Sequence, residues 1–182
     1  MAQLSDPVPA ELHFRKSAEI YIVSLSIESD NIKIRNNILD IKNRLQRGGK
    51  LEQWNPVFKA GFPMSVSDFE RGLAPVLGLA NRNDQPPELT LDQFLELIEN
   101  SSGLETIAVE KERKAYSLNN TICEVAEIRI NQATLITMCV ESTEIENIYK
   151  TINQVGLNDY ENINYPEAIK RITGMVSKPL PT

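Results

Sequence analysis

The chain has 182 residues, of which 41% are hydrophobic and 24% are charged, so it can bury the core of one globular domain. Its formal net charge of −6 argues against a general binder of nucleic acids or of anionic membranes. The single histidine excludes a multi-histidine metal centre. The two cysteines lack the spacing of a metal site, and we expect both to be reduced in a cytoplasmic protein.

Three segments are predicted along the chain. Residues 1–9 are expected to be a flexible lead-in, residues 10–175 a single domain, and residues 176–182 a loose tail. Prolines and charges near the start replace the continuous apolar run of a signal peptide, and nothing approaches the length of a membrane span. We therefore expect a cytoplasmic protein with neither a membrane nor a nucleic-acid partner, and a homodimer is compatible with the sequence.

Alternating polar and apolar residues predict strands in the first third of the chain. Residues 11–15 and residues 18–24 are expected as two separate strands. Residues 51–63 predict a further strand that is interrupted or bent near Pro56, because proline cannot donate to a ladder of backbone hydrogen bonds.

Between these strands, residues 31–42 predict a hairpin. Its turn is placed at Asn36–Asn37, since asparagine tolerates the positive φ angles of a tight turn. Lys33 then lies opposite Asp40, and Arg35 lies opposite Ile38. The other face carries only apolar side chains: Ile32, Ile34, Leu39 and Ile41. We expect helices to cover that apolar face.

The remaining chain predicts helices and a second group of strands. Helices are expected over residues 65–79, from the Thr90–Gln93 capping box to about residue 100, from Ser142 or Thr143 to Gly156, and over residues 166–175; strands are expected over residues 104–118, 122–130 and 133–141. Such an order favours an antiparallel α+β protein with about eight strands, a number at which a sheet can close into a barrel.

Cations recur at alternate positions of these strands, although the protein is acidic. Seven of the nineteen Lys and Arg residues do so: Arg15, Lys33, Arg35, Lys42, Lys59, Lys111 and Arg113. The simplest interpretation is a sheet with one solvated face. The alternative is a polyphosphate site, because like charges packed on one face attract anions that neutralise them.

The order of the charged pairs resembles the CYTH family, the superfamily of triphosphate tunnel metalloenzymes. Glu11-Leu-His-Phe-Arg15 stands in the place of the family's opening Glu-x-Glu-x-Lys strand. Lys33-Ile-Arg35 and Asp40-Ile-Lys42 resemble its next two motifs, and Lys111-Glu-Arg113 resembles a later one. Asn164-Tyr165-Pro166 is similar to its closing Ser-Tyr motif.

The resemblance implies a closed or nearly closed eight-stranded antiparallel barrel, with helices outside and a basic lumen. The seven cations named above would hold phosphates, and Glu11 and Glu141 would be catalytic. The implied ligands of Mg²⁺ or Mn²⁺ are Glu11, His13, Asp40, Glu127 and Glu141. It further implies a phosphohydrolase acting on a triphosphate or another phosphorylated small molecule, or an activity like that of adenylate cyclases.

Three positions depart from the family pattern. His13 replaces the second glutamate of the opening motif, Arg15 replaces its lysine, and Cys139 replaces one glutamate of the closing pair. Fewer carboxylates weaken Mg²⁺ binding, so a protein that binds or senses a phosphate ligand without cleaving it is the alternative. A two-residue loop at Asn131–Gln132 would place Glu124 on the face of Glu141, whereas a three-residue loop would place Glu127 there.

Overall fold

The structure, a computed structural model, describes residues 11–79 and 87–181. The fold is α+β, with a main antiparallel sheet in the order β4-β3-β2-β1-β7-β8-β9. The strands of this sheet are β1 (Glu11–Val23), β2 (Asp30–Arg35), β3 (Ile38–Gly48), β4 (Leu51–Gly61), β7 (Glu105–Leu118), β8 (Thr121–Ile130) and β9 (Ala133–Glu141). In the described residues the main sheet thus has seven strands rather than the predicted eight, and its order ends at β4 and β9.

The chain forms two compact units. The larger unit comprises the described residues of 18–108 and 162–181, and the smaller unit comprises residues 11–17 and 109–161. Strand β1 contributes to both, and it is continuous where the sequence predicts two separate strands. The predicted lead-in, residues 1–9, lies outside the described residues.

The larger unit also contains helices and a small second sheet. The sequence does not predict that second sheet. Its other elements are β5 (Met64–Ser65), α1 (Val66–Asp68), a π-helical turn (Phe69–Leu73), α2 (Ala74–Leu77), β6 (Glu88–Leu89), α3 (Leu91–Glu99) and α5 (Tyr165–Ile172). Strands β5 and β6 pair with each other. The capping box of α3 is confirmed, since Thr90 accepts from the Gln93 amide and Gln93 accepts from the Thr90 amide.

The hydrophobic core of the larger unit lies on one face of its strands. Ile32, Ile34, Leu39 and Ile41 are almost completely buried, and they cluster with the apolar side chains of α2, α3 and the π-helical turn. Burying an aliphatic side chain of this size stabilises the fold by about 1.5–3 kcal/mol. The predicted covering of this face by helices is therefore confirmed, and the opposite face is the one that carries charge.

The smaller unit is built on β7, β8 and β9, with α4 (Ile145–Gln154) packed beside them. Thr151 of α4 is buried and contacts Thr121, their hydroxyl oxygens lying 3.2 Å apart. Helix α4 begins after Glu144 rather than at the predicted Ser142 or Thr143 cap. Ser142 instead accepts a hydrogen bond from the Glu144 amide. In the part of the chain that is described, no helix has both the length and the apolar character needed to cross a membrane.

Gly72 of the π-helical turn lies against the ring of Phe58 of β4. A Cβ atom at this position would overlap atoms Cδ2 and Cε2 of the Phe58 ring. We expect Gly72→Ala to lower the free energy of unfolding by about 1–3 kcal/mol, the usual cost of overpacking. Urea denaturation measures the change. Gly48→Ala is the matched control, because an added Cβ there has no neighbour within 4 Å. Equal stabilities of the two variants would contradict this packing.

Candidate functional site

The pairing of β1 to β4 gathers charge on one face of the larger unit. The predicted hairpin register is confirmed, with Lys33 opposite Asp40 and Asn31 opposite Lys42. Lys59 of β4 also pairs with Asp40. We call this surface the Lys33 face, and it comprises Glu19, Tyr21, Lys33, Arg35, Asp40, Lys42 and Lys59. The predicted bend of β4 is confirmed as well, because its register to β3 shifts beside Pro56.

Glu19 lies on β1 opposite Arg35, and its side chain has no exposed surface. Its Oε1 accepts from Arg35 Nη1 at 3.2 Å, and its Oε2 accepts from the Tyr21 hydroxyl at 3.2 Å. Lys33 Nζ lies 4.0 Å from Glu19 Oε2. The side chains of Lys33 and Arg35 are 16% and 27% exposed. The inner part of this face is therefore a packed ion-pair cluster rather than a solvated surface.

The ammonium of Lys33 is held in an environment that disfavours its charge. Burial lowers the pKa of Lys33, and the carboxylate of Glu19 opposes that effect only in part. Among the smaller effects, Arg35 and Lys42 lower this pKa further, and Asp40 raises it. An anion placed beside Lys33 would stabilise its charged form, because a nearby opposite charge compensates for lost hydration.

Lys42 and Lys59 form the outer part of the Lys33 face. Lys42 is half-buried and Lys59 is exposed. Within the described residues, neither lysine has an ion-pair partner. Asp40 has no ion-pair partner in these residues either. The face therefore holds four cations against the two carboxylates of Glu19 and Asp40, a formal charge of +2. This cation excess stands in contrast to the net charge of −6 of the whole chain.

The far ends of β3 and β4 carry a separate cluster around Glu52. Arg44 Nη1 contacts Glu52 at 3.1 Å and lies over the ring of Trp54, whose indole nitrogen also donates to Glu52. Asn164, the N-cap of α5, donates to both carboxylate oxygens of Glu52. Arg44 is thus already paired with Glu52. The hydrogen bonds from Asn164 to Glu52 tie α5 to β4.

Helix α5 covers the β1 end of the Lys33 face. The ring of Tyr165 lies 5.9 Å from the ring of Tyr21, which is 1% exposed. Lys170 of the same helix donates to the carbonyl of Ile27 at 2.6 Å. The residues predicted as a loose tail also contact this helix, since the carbonyl of Pro179 accepts from Arg171. The Asn164-Tyr165-Pro166 segment therefore positions a helix against the charged face.

A second charged face belongs to the smaller unit, and we call it the Lys111 face. Lys111 and Arg113 lie on one side of β7 and are 3% and 8% exposed. Arg113 donates to the Ser17 hydroxyl at 2.9 Å, and its Nη1 lies 3.9 Å from Glu124 Oε2. Glu110 and Glu112 point to the opposite side, as the strand period requires.

The β8–β9 hairpin decides which glutamate joins this face. Ile130 pairs with Ala133, so the loop is Asn131–Gln132 and has two residues. Glu124 then pairs with Cys139, on the side of Lys111 and Arg113. Glu127 lies on the opposite side of β8 and bonds Arg129 at 2.7 Å. A place for Glu127 beside Glu141 is therefore corrected in favour of Glu124.

Cys139 sits between the carboxylates of the Lys111 face. Its thiol donates to Glu141 Oε1 at 3.4 Å. Burial, followed by the negative charge of Glu141, raises the pKa of the Cys139 thiol. A thiol that resists deprotonation is a poor nucleophile, so the raised pKa disfavours a nucleophilic role for Cys139. Both cysteines are free.

The opening motif lies at the start of β1. Glu11 and His13 are exposed and Arg15 is half-buried. By the alternation of the strand they share the side of Ser17, the residue that contacts Arg113. The Lys111 face then carries three cations (Arg15, Lys111 and Arg113) and three carboxylates (Glu11, Glu124 and Glu141). Its charges balance, so the cation excess of the strands belongs to the Lys33 face.

The five predicted metal ligands do not form one cluster in the described residues. Nowhere in the described residues do three or more His, Cys, Asp or Glu side chains come close enough together to hold a metal ion. Glu124 and Glu141 both lie beside Cys139, whose protonated thiol is a poor ligand for Mg²⁺.

Glu19 is the site residue that the sequence prediction misses. If residues 11–15 and 18–24 form two separate strands, the alternation of side chains between the two faces need not continue from the first strand to the second. The continuous β1 does continue it, and Glu19 and Tyr21 then follow the period of two that begins at Glu11. That period, read through residue 21, is the signal that would have placed Glu19 on the charged face.

Comparison with known proteins gives the fold and no activity. No family model matches the sequence, and no curated protein matches it. A conserved hypothetical protein from Pyrococcus furiosus has a similar structure, with a TM-score of 0.50 and 15% identity over 87% of this chain and 85% of that chain. The PH1012 protein from Pyrococcus horikoshii OT3 is similar at a TM-score of 0.45 and 16% identity, over 83% of this chain and 79% of its own. The likeness to the P. furiosus protein shows a shared fold alone.

Proposed function

We propose that the Lys33 face binds a triphosphate, a polyphosphate or another phosphorylated small molecule, and that the chain is a divergent member of the CYTH family. One observation carries the proposal. Four cations share this face with two carboxylates, and the inner cations are largely withdrawn from water. A local excess of positive charge of this kind attracts anions, although the chain as a whole is acidic.

Phosphate groups suit the donors of this face. Lys42 and Lys59 offer ammonium groups without an ion pair in the described part of the chain, and Arg35 offers a guanidinium of fixed orientation. Charge-assisted hydrogen bonds from such groups to phosphate oxygens are short and strong. The proposal includes the closed or nearly closed barrel of the CYTH family, and the alternation of charged and apolar faces on β2 and β3 supports it.

Binding without cleavage is the form of this function that the donor set favours, as in a sensor or storage protein. Hydrolysis with Mg²⁺ or Mn²⁺ is the second candidate, and it rests on the pair of carboxylates, Glu124 and Glu141, beside the cations of the Lys111 face. The proposal places the protein in the cytoplasm, where its two free cysteines stay reduced, with neither a nucleic-acid nor a membrane partner. A homodimer is compatible with it.

Isothermal titration calorimetry with tripolyphosphate, ATP and thiamine triphosphate tests the proposal. We expect at least one of them to bind in the presence of EDTA, with an affinity that falls as salt is added. Absence of binding by all three at low salt would overturn the proposed function. Phosphate release under Mg²⁺, Mn²⁺ or Co²⁺ would instead establish the hydrolase, and binding without release would establish the binding protein.

A further inference from the structure

Glu19 is a carboxylate placed inside a face that the proposed function assigns to an anionic ligand. It touches Arg35 and Tyr21, it lies 4.0 Å from the ammonium of Lys33, and its side chain has no exposed surface. A buried carboxylate persists only where charges and hydrogen bonds compensate it, and here the inner cations supply that compensation. The same cations are therefore partly neutralised before any ligand arrives.

The outer cations lack such an internal partner. Lys42 and Lys59 form no ion pair within the described ranges, whereas Lys33 and Arg35 both face Glu19. A phosphate bound at Lys42 and Lys59 would lie on the same face as the Glu19 carboxylate, and the two negative charges would repel each other. Because Glu19 is buried, its charge is screened less by solvent and salt than an exposed charge is. That repulsion grows with the charge of the ligand.

We propose that Glu19 is an internal counter-anion that determines how much negative charge the Lys33 face accepts. It holds Arg35 and Lys33 in place when the ligand is absent, and it weakens binding in proportion to the charge of the phosphate ligand. Glu19 is thus a positioning and specificity-determining residue that acts through the cations. This inference rests on the proposed function, since it concerns the same face.

The test compares tripolyphosphate with inorganic phosphate by calorimetry at low salt. Glu19→Gln keeps the shape of the side chain and removes its charge. We expect tripolyphosphate to bind this variant about tenfold more tightly than it binds the wild type, and inorganic phosphate to gain only about two- to threefold. The salt dependence of tripolyphosphate binding should become steeper. Glu99→Gln, at the exposed end of α3, removes one charge away from the face and should leave both affinities unchanged.

A second pair of variants keeps the inference testable if Glu19→Gln alone does not fold. Lys33→Met removes one cation from the face and should weaken tripolyphosphate binding. Adding Glu19→Gln to Lys33→Met removes both members of the 4.0 Å ion pair, which buried sites tolerate better than the loss of one member. The double variant should regain the affinity that Lys33→Met loses. Failure to regain it would overturn the inference.

The outcomes separate this inference from the proposed function. If the wild type binds tripolyphosphate and Glu19→Gln binds equally or more weakly, Glu19 only aligns the cations and the inference alone is wrong. If the wild type fails to bind and Glu19→Gln binds, the function proposed for the native chain is wrong while the role of Glu19 stands. If neither binds any phosphate, both are wrong.

Discussion

Replacing Lys42 and Lys59 together with methionine should weaken tripolyphosphate binding about a hundredfold or more. Each lysine offers a charge-assisted hydrogen bond to a phosphate oxygen, and hydrogen bonds to charged groups contribute about 1.5–3 kcal/mol each. Two such contacts correspond to about two to four powers of ten in the dissociation constant. Methionine retains most of the apolar stem, so the sheet beneath should keep its packing.

The matched control is a second double variant of equal charge change. Lys114 and Lys150 are exposed, and Lys114 lies on the side of β7 opposite to Lys111 and Arg113. Replacing both with methionine should change the affinity less than threefold at physiological salt, because salt screens exposed charges and neither lysine belongs to the Lys33 face. Equal losses in the two double variants would show that net charge alone drives binding, and the site would then not be the Lys33 face.

The hairpin of the Lys33 face could be predicted because its determinants are local. Asn36 and Asn37 both adopt positive φ, at 50° and 61°, and this turn fixes the register of every residue that follows. The same chemistry recurs at Asn119 and Asn120 between β7 and β8. Turn residues act on their immediate neighbours, so a sequence pattern reports them directly.

The partners of the charged side chains could not be predicted in the same way. Glu19 meets Arg35 across 16 positions of sequence, and Glu52 meets Asn164 across 112 positions. Those pairings depend on which strands become neighbours and on where α5 packs. The sequence therefore predicts a basic face but cannot distinguish the paired cations, Lys33 and Arg35, from Lys42 and Lys59. Within the described residues, the absence of a third close metal ligand is likewise a property of the packed strands.

Phe94 is the residue whose truncation should reduce stability most clearly. It is completely buried in the core of the larger unit, and its ring lies 5.3 Å from that of Phe62 and 6.4 Å from that of Phe69. We expect Phe94→Ala to lower the free energy of unfolding by about 3–5 kcal/mol, through lost burial and the cavity left between the rings. Urea denaturation followed by circular dichroism measures this change.

Two further variants separate cavity formation from other causes. Phe94→Leu keeps an apolar side chain of similar length and should cost less than half as much as Phe94→Ala. Glu96 lies on the exposed side of the same helix. Glu96→Ala should therefore change the free energy of unfolding by about 0.5 kcal/mol or less. Because α3 and the π-helical turn pack through Phe94 on the apolar face of β2 and β3, its loss should also disturb the charged face behind it. A stable Phe94→Ala protein that keeps the wild-type affinity for tripolyphosphate would contradict that arrangement.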